Sequence, residues 1–264
     1  MDVVDTIVVG AGVVGLAVGR ALAATGKDTL VMERHGRFGE ETSSRNSGVV
    51  HSGIYYPTGS LKARLCVRGR ELLYEYSRER GISHRRCGKL IVAQRDQIPA
   101  LQALHAKALE NGVADLRWLD SGEARELEPA VTCAAALLSP ATGIIDVHEW
   151  MNALLSDVEA HGGVLVLNTS VQRVRPSAFG ESWRLMRLAL GILDEDRVFL
   201  NLSPKGEPRL GSRGLFADAE RLGLFWILYF FPMAGTVCST LPNGHTCRSG
   251  NFARGPGALR SAVY

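Results

Sequence analysis

Apolar and polar positions change their period several times along this chain, and the changes mark elements. Ile7 to Val9 form an unbroken β-branched run without alternation, the pattern of a strand buried on both faces. Val13 to Ala24 carry small and apolar residues and read as a helix that Gly26 stops. Asp28 to Glu33 is a second apolar run that ends on an acid. Leu61, Leu65, Leu72, Leu73 and Tyr76 keep helical spacing over Leu61 to Arg80, and Gly81 ends that helix. Cys87 to Ala93 reads as a strand, Ile98 to Asn111 as a helix and Ser121 to Glu128 as a short helix. Val131 to Leu138 reads as a strand, Val147 to Gly162 as a helix with Trp150, Leu154, Leu155 and Val158 inward, and Val164 to Leu167 and Ser170 to Arg175 as strands.

The order strand, glycine turn, helix, strand, acid near the start is the dinucleotide-binding βαβ unit. Each part has a physical task. Gly10 permits the tight turn, Gly12 lets backbone approach a pyrophosphate, and Gly15 lets helix and strand pack closely. Val13 and Val14 open the helix, whose amide groups and positive dipole end face the phosphates. Glu33 follows Gly15 by 18 residues, near the expected ~20, where a carboxylate accepts from a ribose hydroxyl. The acid disfavours a 2′-phosphorylated ligand, although Arg34 adjoins it.

What comes next separates NAD from FAD. A regular NAD domain proceeds to another βα unit. Here a polar loop rich in hydroxyls and glycine follows, running from Arg34 to Pro57. Flavoproteins use such a loop to wrap phosphates and to approach the flavin ring. The run from Thr42 to Cys66 (TSSRNSGVVHSGIYYPTGSLKARLC) resembles the L-2-hydroxyglutarate oxidase/dehydrogenase family, which belongs to the D-amino-acid-oxidase-like FAD oxidoreductases. Cys87 to Ala93 resembles that family's substrate-domain strand, and Leu138 to His148 its return to the FAD domain; the likeness covers about residues 1–175. It implies an α/β fold: an FAD-binding Rossmann-like βαβ domain with an inserted α+β substrate domain and an incomplete C-terminal portion. The expected segments are 1–82 (FAD domain, first part), 83–140 (partial substrate domain), 141–180 (return segment) and 181–264 (atypical and poorly ordered).

Composition narrows the picture modestly. A net charge of +3 without a basic stripe gives no reason to expect nucleic acid. Five cysteines without a CxxC pair fit reduced thiols. A first strand at residue 5 leaves little room for a targeting segment, so a cytoplasmic location is expected. No His/Cys/Asp cluster has metal-ligand spacing, and no metal is expected.

The resemblance implies oxidation of a small L-2-hydroxy acid to a 2-keto acid, with oxygen or a quinone as the final electron acceptor. His51, in the loop expected to reach the flavin, is the candidate base. Two other readings stand beside it: a histidine that only bonds the flavin or loop, and a covalent histidyl-flavin link. Tyr55, Tyr56, Lys62 and Arg64 are candidates for gripping substrate carboxylates. The plainer reading of Lys62 and Arg64 is a solvated helix start or a phosphate contact. Thr42, Ser43, Arg45, Asn46, Ser47 and Gly48 are candidates for holding flavin or pyrophosphate, and the backbone of Val171 for neighbouring the adenine. Two runners-up are a flavoenzyme of the same superfamily acting on an amino acid or glycerol phosphate, and an inactive nucleotide-binding remnant.

After about residue 180 the clean periodicity gives way to bulky apolar runs and breakers. Leu222 to Met233 is a strongly apolar stretch of 12 residues. A membrane span takes roughly 20, so an ill-packed segment or a peripheral membrane contact is expected instead. The tail from Asn243 to Tyr264 reads as disordered.

Overall fold

β-Branched residues build the first layer. In the computed structural model, Thr6–Val9 (β1) and Thr29–Met32 (β2) pair in parallel, and Val164–Val166 (β9) joins the far edge of β2. Parallel strands need a crossover, and Val13–Ala23 (α1) supplies it between β1 and β2. Val147–Ala160 (α5) packs against α1, where Arg20 Nε donates to the buried Asp157 carboxylate at 2.7 Å. Thr169–Pro176 (β10), Trp183–Ala189 (β11) and Val198–Leu200 (β12) form a separate antiparallel ladder. The structure describes residues 4–176, 183–189, 198–200, 247–249 and 260–263.

A second compact unit is built from residues 46–146. Its first strand, Val49–Val50 (β3), lies beside Gly143–Ile145 (β8), which also pairs with His84–Arg85 (β4). Leu61–Arg80 (α2) starts where Ser60 accepts from the Ala63 amide and ends at Gly81 in the left-handed region. Lys89–Ala93 (β5), Arg117–Asp120 (β6) and Ala135–Ser139 (β7) form an antiparallel sheet. Ile98–Glu110 (α3) contributes Leu101 and Ala108 to a core with Ile54, Ile91 and Leu137. Ser121–Leu127 (α4) is closed by a capping box between Asp120 and Glu123.

The structure sets its unit boundaries after Arg45 and after Asp146. Residues 46–82, grouped in the sequence with the nucleotide domain, therefore fold with the second unit. The packing of Ile54 into the core of Ile91, Leu101 and Leu137, with the Ser139–Ser52 hydroxyl bond, is the physical reason. The strand expected at Val131 to Leu138 begins four residues later, at Ala135. Of the tail expected to be disordered, two short pieces are among the described residues. Cys247–Ser249 (β13) and Arg260–Val263 (β14) pair with each other, and β14 pairs with β5. A sheet edge recruits strands through backbone groups, which requires no apolar pattern in the added segment. The run Leu222 to Met233 lies outside the described residues. Among the described residues no helix is long and apolar enough to cross a membrane.

Candidate functional site

The first unit carries a nucleotide cradle at the carboxyl end of β1. The Gly10 amide donates to the Met32 carbonyl at 2.7 Å, which ties the turn to β2. Glu33, buried at the end of β2, accepts from the Ala11 amide at 2.8 Å and from the His35 amide at 3.0 Å. Both carboxylate oxygens are thereby fixed beside the turn. Val13, the first residue of α1, donates its amide to Ser43 Oγ at 3.0 Å. At Gly12 an added Cβ would come within 2.9 Å of that hydroxyl, so glycine keeps the turn open. At Gly15 a Cβ would meet the Gly10 carbonyl oxygen at 1.8 Å, a distance that excludes any side chain. Val14, half-buried, continues the first helical turn. A glycine turn at a helix N-terminus, with a fixed carboxylate on the next strand, suits a pyrophosphate and a ribose.

The other nucleotide candidates spread around this turn and beyond it. Thr42 to Ser44 form one 3-10 turn, with Ser43 buried and Thr42 exposed. Arg34 is exposed and ion-paired with Glu41. Hydrogen bonds from His35 and Arg34 hold the Glu41 carboxyl below its usual range. Arg45 is exposed just after the 3-10 turn. Val171 packs against the cluster of Ile7 and Met32 in the first unit. Asn46, Ser47 and Gly48 belong to the second unit, where Asn46 Oδ1 accepts from the Gly48 amide at 2.8 Å.

In the second unit, a small cleft of about 10 Å³, room for about one water molecule, is lined by His51, Ser52, Gly53, Ile54, Tyr55, Tyr56, Lys89 and Thr142. Its loop is pinned from three sides. Asn111 Nδ2 donates to the carbonyls of Gly53 and Tyr56, at 3.2 and 3.0 Å. Arg70 reaches the Ser52 carbonyl at 3.4 Å, and Cys66 Sγ the His51 carbonyl at 3.8 Å. Beneath the loop, the hydroxyls of Ser52, Ser139 and Thr142 form a buried triangle with sides of 2.9, 3.0 and 3.2 Å. A fully bonded buried network of this kind fixes a loop in one conformation.

Two ammonium groups sit on two adjacent phenol rings. Lys89 Nζ lies 4.7 Å from the centre of the Tyr55 ring, and Lys62 Nζ 4.7 Å from that of Tyr56. Such placement is a favourable cation–π contact. Burial holds Lys89 down to about 8 from its usual value, and pushes the Tyr56 phenol up. His51 is held down to about 3, first by lost hydration and then by the charges of Lys89 and Lys62. It is therefore a neutral imidazole across the whole physiological range.

Of the expected substrate-binding residues, the structure brings His51, Tyr55 and Tyr56 into one cleft, with Lys62 on its tyrosine flank. Arg64 is exposed on α2 and does not line the cleft. Residues two apart on a helix point in different directions, so Lys62 and Arg64 do not share a face. Lys89 escaped the sequence reading. Its signal was a lysine opening the apolar run Leu90 to Ala93, where strand patterning alone does not tell buried from exposed.

The βαβ cradle and its fixed acid define a dinucleotide-binding α/β protein. Among such proteins the chain belongs to the DAO family of FAD-dependent oxidoreductases, whose pattern it matches over residues 5–200. It is 53% identical over 153 residues to the mitochondrial L-2-hydroxyglutarate dehydrogenase of Arabidopsis thaliana, covering 58% of this chain and 32% of that protein. To the human protein of the same name it is 42% identical over 173 residues, covering 64% and 37%. Its fold is similar to FAD-bound L-alpha-glycerophosphate oxidase from Mycoplasma pneumoniae, with a TM-score of 0.69 and 25% identity, over 75% of this chain and 53% of that one. The chain spans about a third of the length of these curated relatives. FAD is the family's cofactor, and the Gly10–Gly15 turn with Glu33 fits its ADP portion.

Proposed function

We propose that this chain carries the chemistry for oxidising L-2-hydroxyglutarate to 2-oxoglutarate. The observation that carries the reading is the cleft in which a neutral imidazole is flanked by two ammonium–tyrosine pairs. Gly10, Gly12, Gly15 and Glu33 would hold the ADP portion of FAD, with Ser43 closing the turn. Bound FAD supplies a two-electron acceptor for the hydrogen on the substrate's α-carbon. His51 takes the hydroxyl proton as the carbonyl forms. The substrate's carboxylates lie against Lys62 and the tyrosine hydroxyls of the cleft. An anion there offsets the lysine charges that depress His51, so substrate arrival strengthens the base that the reaction needs. Arg64 is proposed as a peripheral contact for the incoming anion.

The electron acceptor in this reading is oxygen or a quinone, and a quinone brings peripheral membrane contact with it. Peroxide release against quinone reduction separates the two. A cytoplasmic location remains the proposal from the sequence, and the relatives cited above are named mitochondrial; cell fractionation decides it. The function itself is tested with a substrate panel. Reduction of bound flavin by L-2-hydroxyglutarate, and not by glycerol phosphate or glycine, is expected. Reduction by glycerol phosphate or an amino acid instead would replace this reading with another flavoenzyme of the family.

A further inference from the structure

The carboxyl end of α3 comes to rest against the loop that lines the cleft. Asn111, the residue after α3, reaches back to that loop with its amide nitrogen. Nδ2 donates to the Gly53 carbonyl at 3.2 Å and to the Tyr56 carbonyl at 3.0 Å. Carbonyls only accept, so the nitrogen and not the oxygen of the amide faces them. The two bonds bracket Ile54 and Tyr55 and hold that short segment at both ends. Glu110, the last residue of α3, adds an outer tie by accepting from Thr58 Oγ1 at 2.9 Å. Beneath the loop, Ile54 packs with Leu101 and Ala108 of α3 and with Val113. The Val113 amide in turn donates to the Ala108 carbonyl at 2.9 Å, which closes the helix end and makes it a firm seat. The oxygen of Asn111 tells the other half of the story. Oδ1 is buried without a hydrogen-bond partner, a cost that leucine, of similar size, would avoid. Leucine would instead leave the Gly53 and Tyr56 carbonyls without this donor.

We infer that Asn111 is a positioning residue for the cleft: its grip on the Gly53 and Tyr56 carbonyls sets the Tyr55 and Tyr56 rings in place and keeps water from His51. The assignment rests on the substrate-cleft reading above only for its effect on turnover. Asn111 acts through the loop and is not among the residues that line the cleft. Without the grip the segment from Gly53 to Tyr56 has a freer backbone, the two rings leave their places beside Lys89 and Lys62, and the cleft opens. Lost hydration is the first cause that holds His51 down, so readmitted water raises it toward the ordinary 6.5.

The test is an NMR titration of the histidine ring signals in the full FAD-reconstituted chain, which needs no substrate. His51→Gln identifies the His51 signal among the seven histidines. In the wild-type chain that signal is expected to stay unmoved from pH 8 down to about pH 5. In Asn111→Leu, which removes the donor at similar size and without adding charge, it is expected to titrate near pH 6, and Asn111→Gln to restore part of the wild-type behaviour. His105, on α3 beside Trp118, is the control: a helix merely loosened disturbs its signal too, whereas loss of the grip moves His51 alone. A His51 signal that titrates near 6.5 in the wild-type chain, or that Asn111→Leu leaves unmoved, overturns the assignment. Should the leucine variant not fold, hydrogen exchange in the wild-type chain decides: the amides of residues 54–56 are expected to open in step with that of Val113, and independent opening overturns the assignment. Failure of the function reading looks different. A His51 signal that depends on Asn111, without flavin reduction by L-2-hydroxyglutarate in the wild-type chain, keeps the positioning role and discards that substrate. Flavin reduction in the wild-type chain, with His51 unmoved in Asn111→Leu, does the reverse; where both hold, Asn111→Leu is expected to slow flavin reduction by about tenfold or more.

Discussion

His51 and Lys89 set the pH behaviour of the site in opposite directions. In the free chain His51 is neutral down to about pH 3. Since kcat/KM reports the free enzyme, its acid limb from this residue is expected well below the 6.5 of an ordinary histidine. Lys89 loses its charge near pH 8, so kcat/KM for a dicarboxylate is expected to fall above that value. A profile that drops between pH 7 and 6 would contradict the placement of His51. Burial of Lys89 also affects stability. Its folded value, about 8, lies below the unfolded 10.5, so the unfolded chain binds more protons between the two. The cost of burying the charge is therefore fully present below pH 8 and is relieved as the pH rises through that window. Lys89→Met is expected to raise stability at pH 7 by up to about 3 kcal/mol, read by denaturant unfolding, while weakening substrate binding.

The elements that a period can announce were legible in the sequence; the elements made by pairing were not. α1, α2 and α5 each show a long helical pattern with a stop or a packed face, and each forms within two residues of the expected bounds. β3, β4 and β8 have two or three residues each and acquire their identity only from one another. The same division holds at the site. The cradle was readable because glycine spacing encodes backbone approach, whereas the triangle of Ser52, Ser139 and Thr142 joins residues some 90 positions apart. Two substitutions test the cradle. Gly15→Ala forces a Cβ against the Gly10 carbonyl oxygen and is expected to abolish FAD retention on gel filtration. Ser43→Ala removes the acceptor for the Val13 amide and is expected to cost about 1 kcal/mol, seen as a lower thermal midpoint. If Gly15→Ala retained stoichiometric FAD, the cradle would not be where the cofactor binds.

At the scale of the whole molecule, the chain contains both a nucleotide cradle and a charged cleft, each within its own compact unit. Ligand linkage gives each unit its own readout. Saturating FAD, at about 100 times its Kd, is expected to stabilise the chain by about 2.7 kcal/mol. A dicarboxylate should add to that only when the cleft of the second unit is formed. The central claim, carried over from the proposed function, is that these parts oxidise a 2-hydroxy dicarboxylate although the chain spans about a third to a half of the length of its curated relatives. The measurement that tests it most directly is an absorption spectrum of the FAD-reconstituted chain during anaerobic addition of L-2-hydroxyglutarate, with the D-enantiomer as control. The account predicts that the visible flavin band bleaches with the L-acid and persists with the D-acid. A flavin band that neither enantiomer bleaches would contradict it.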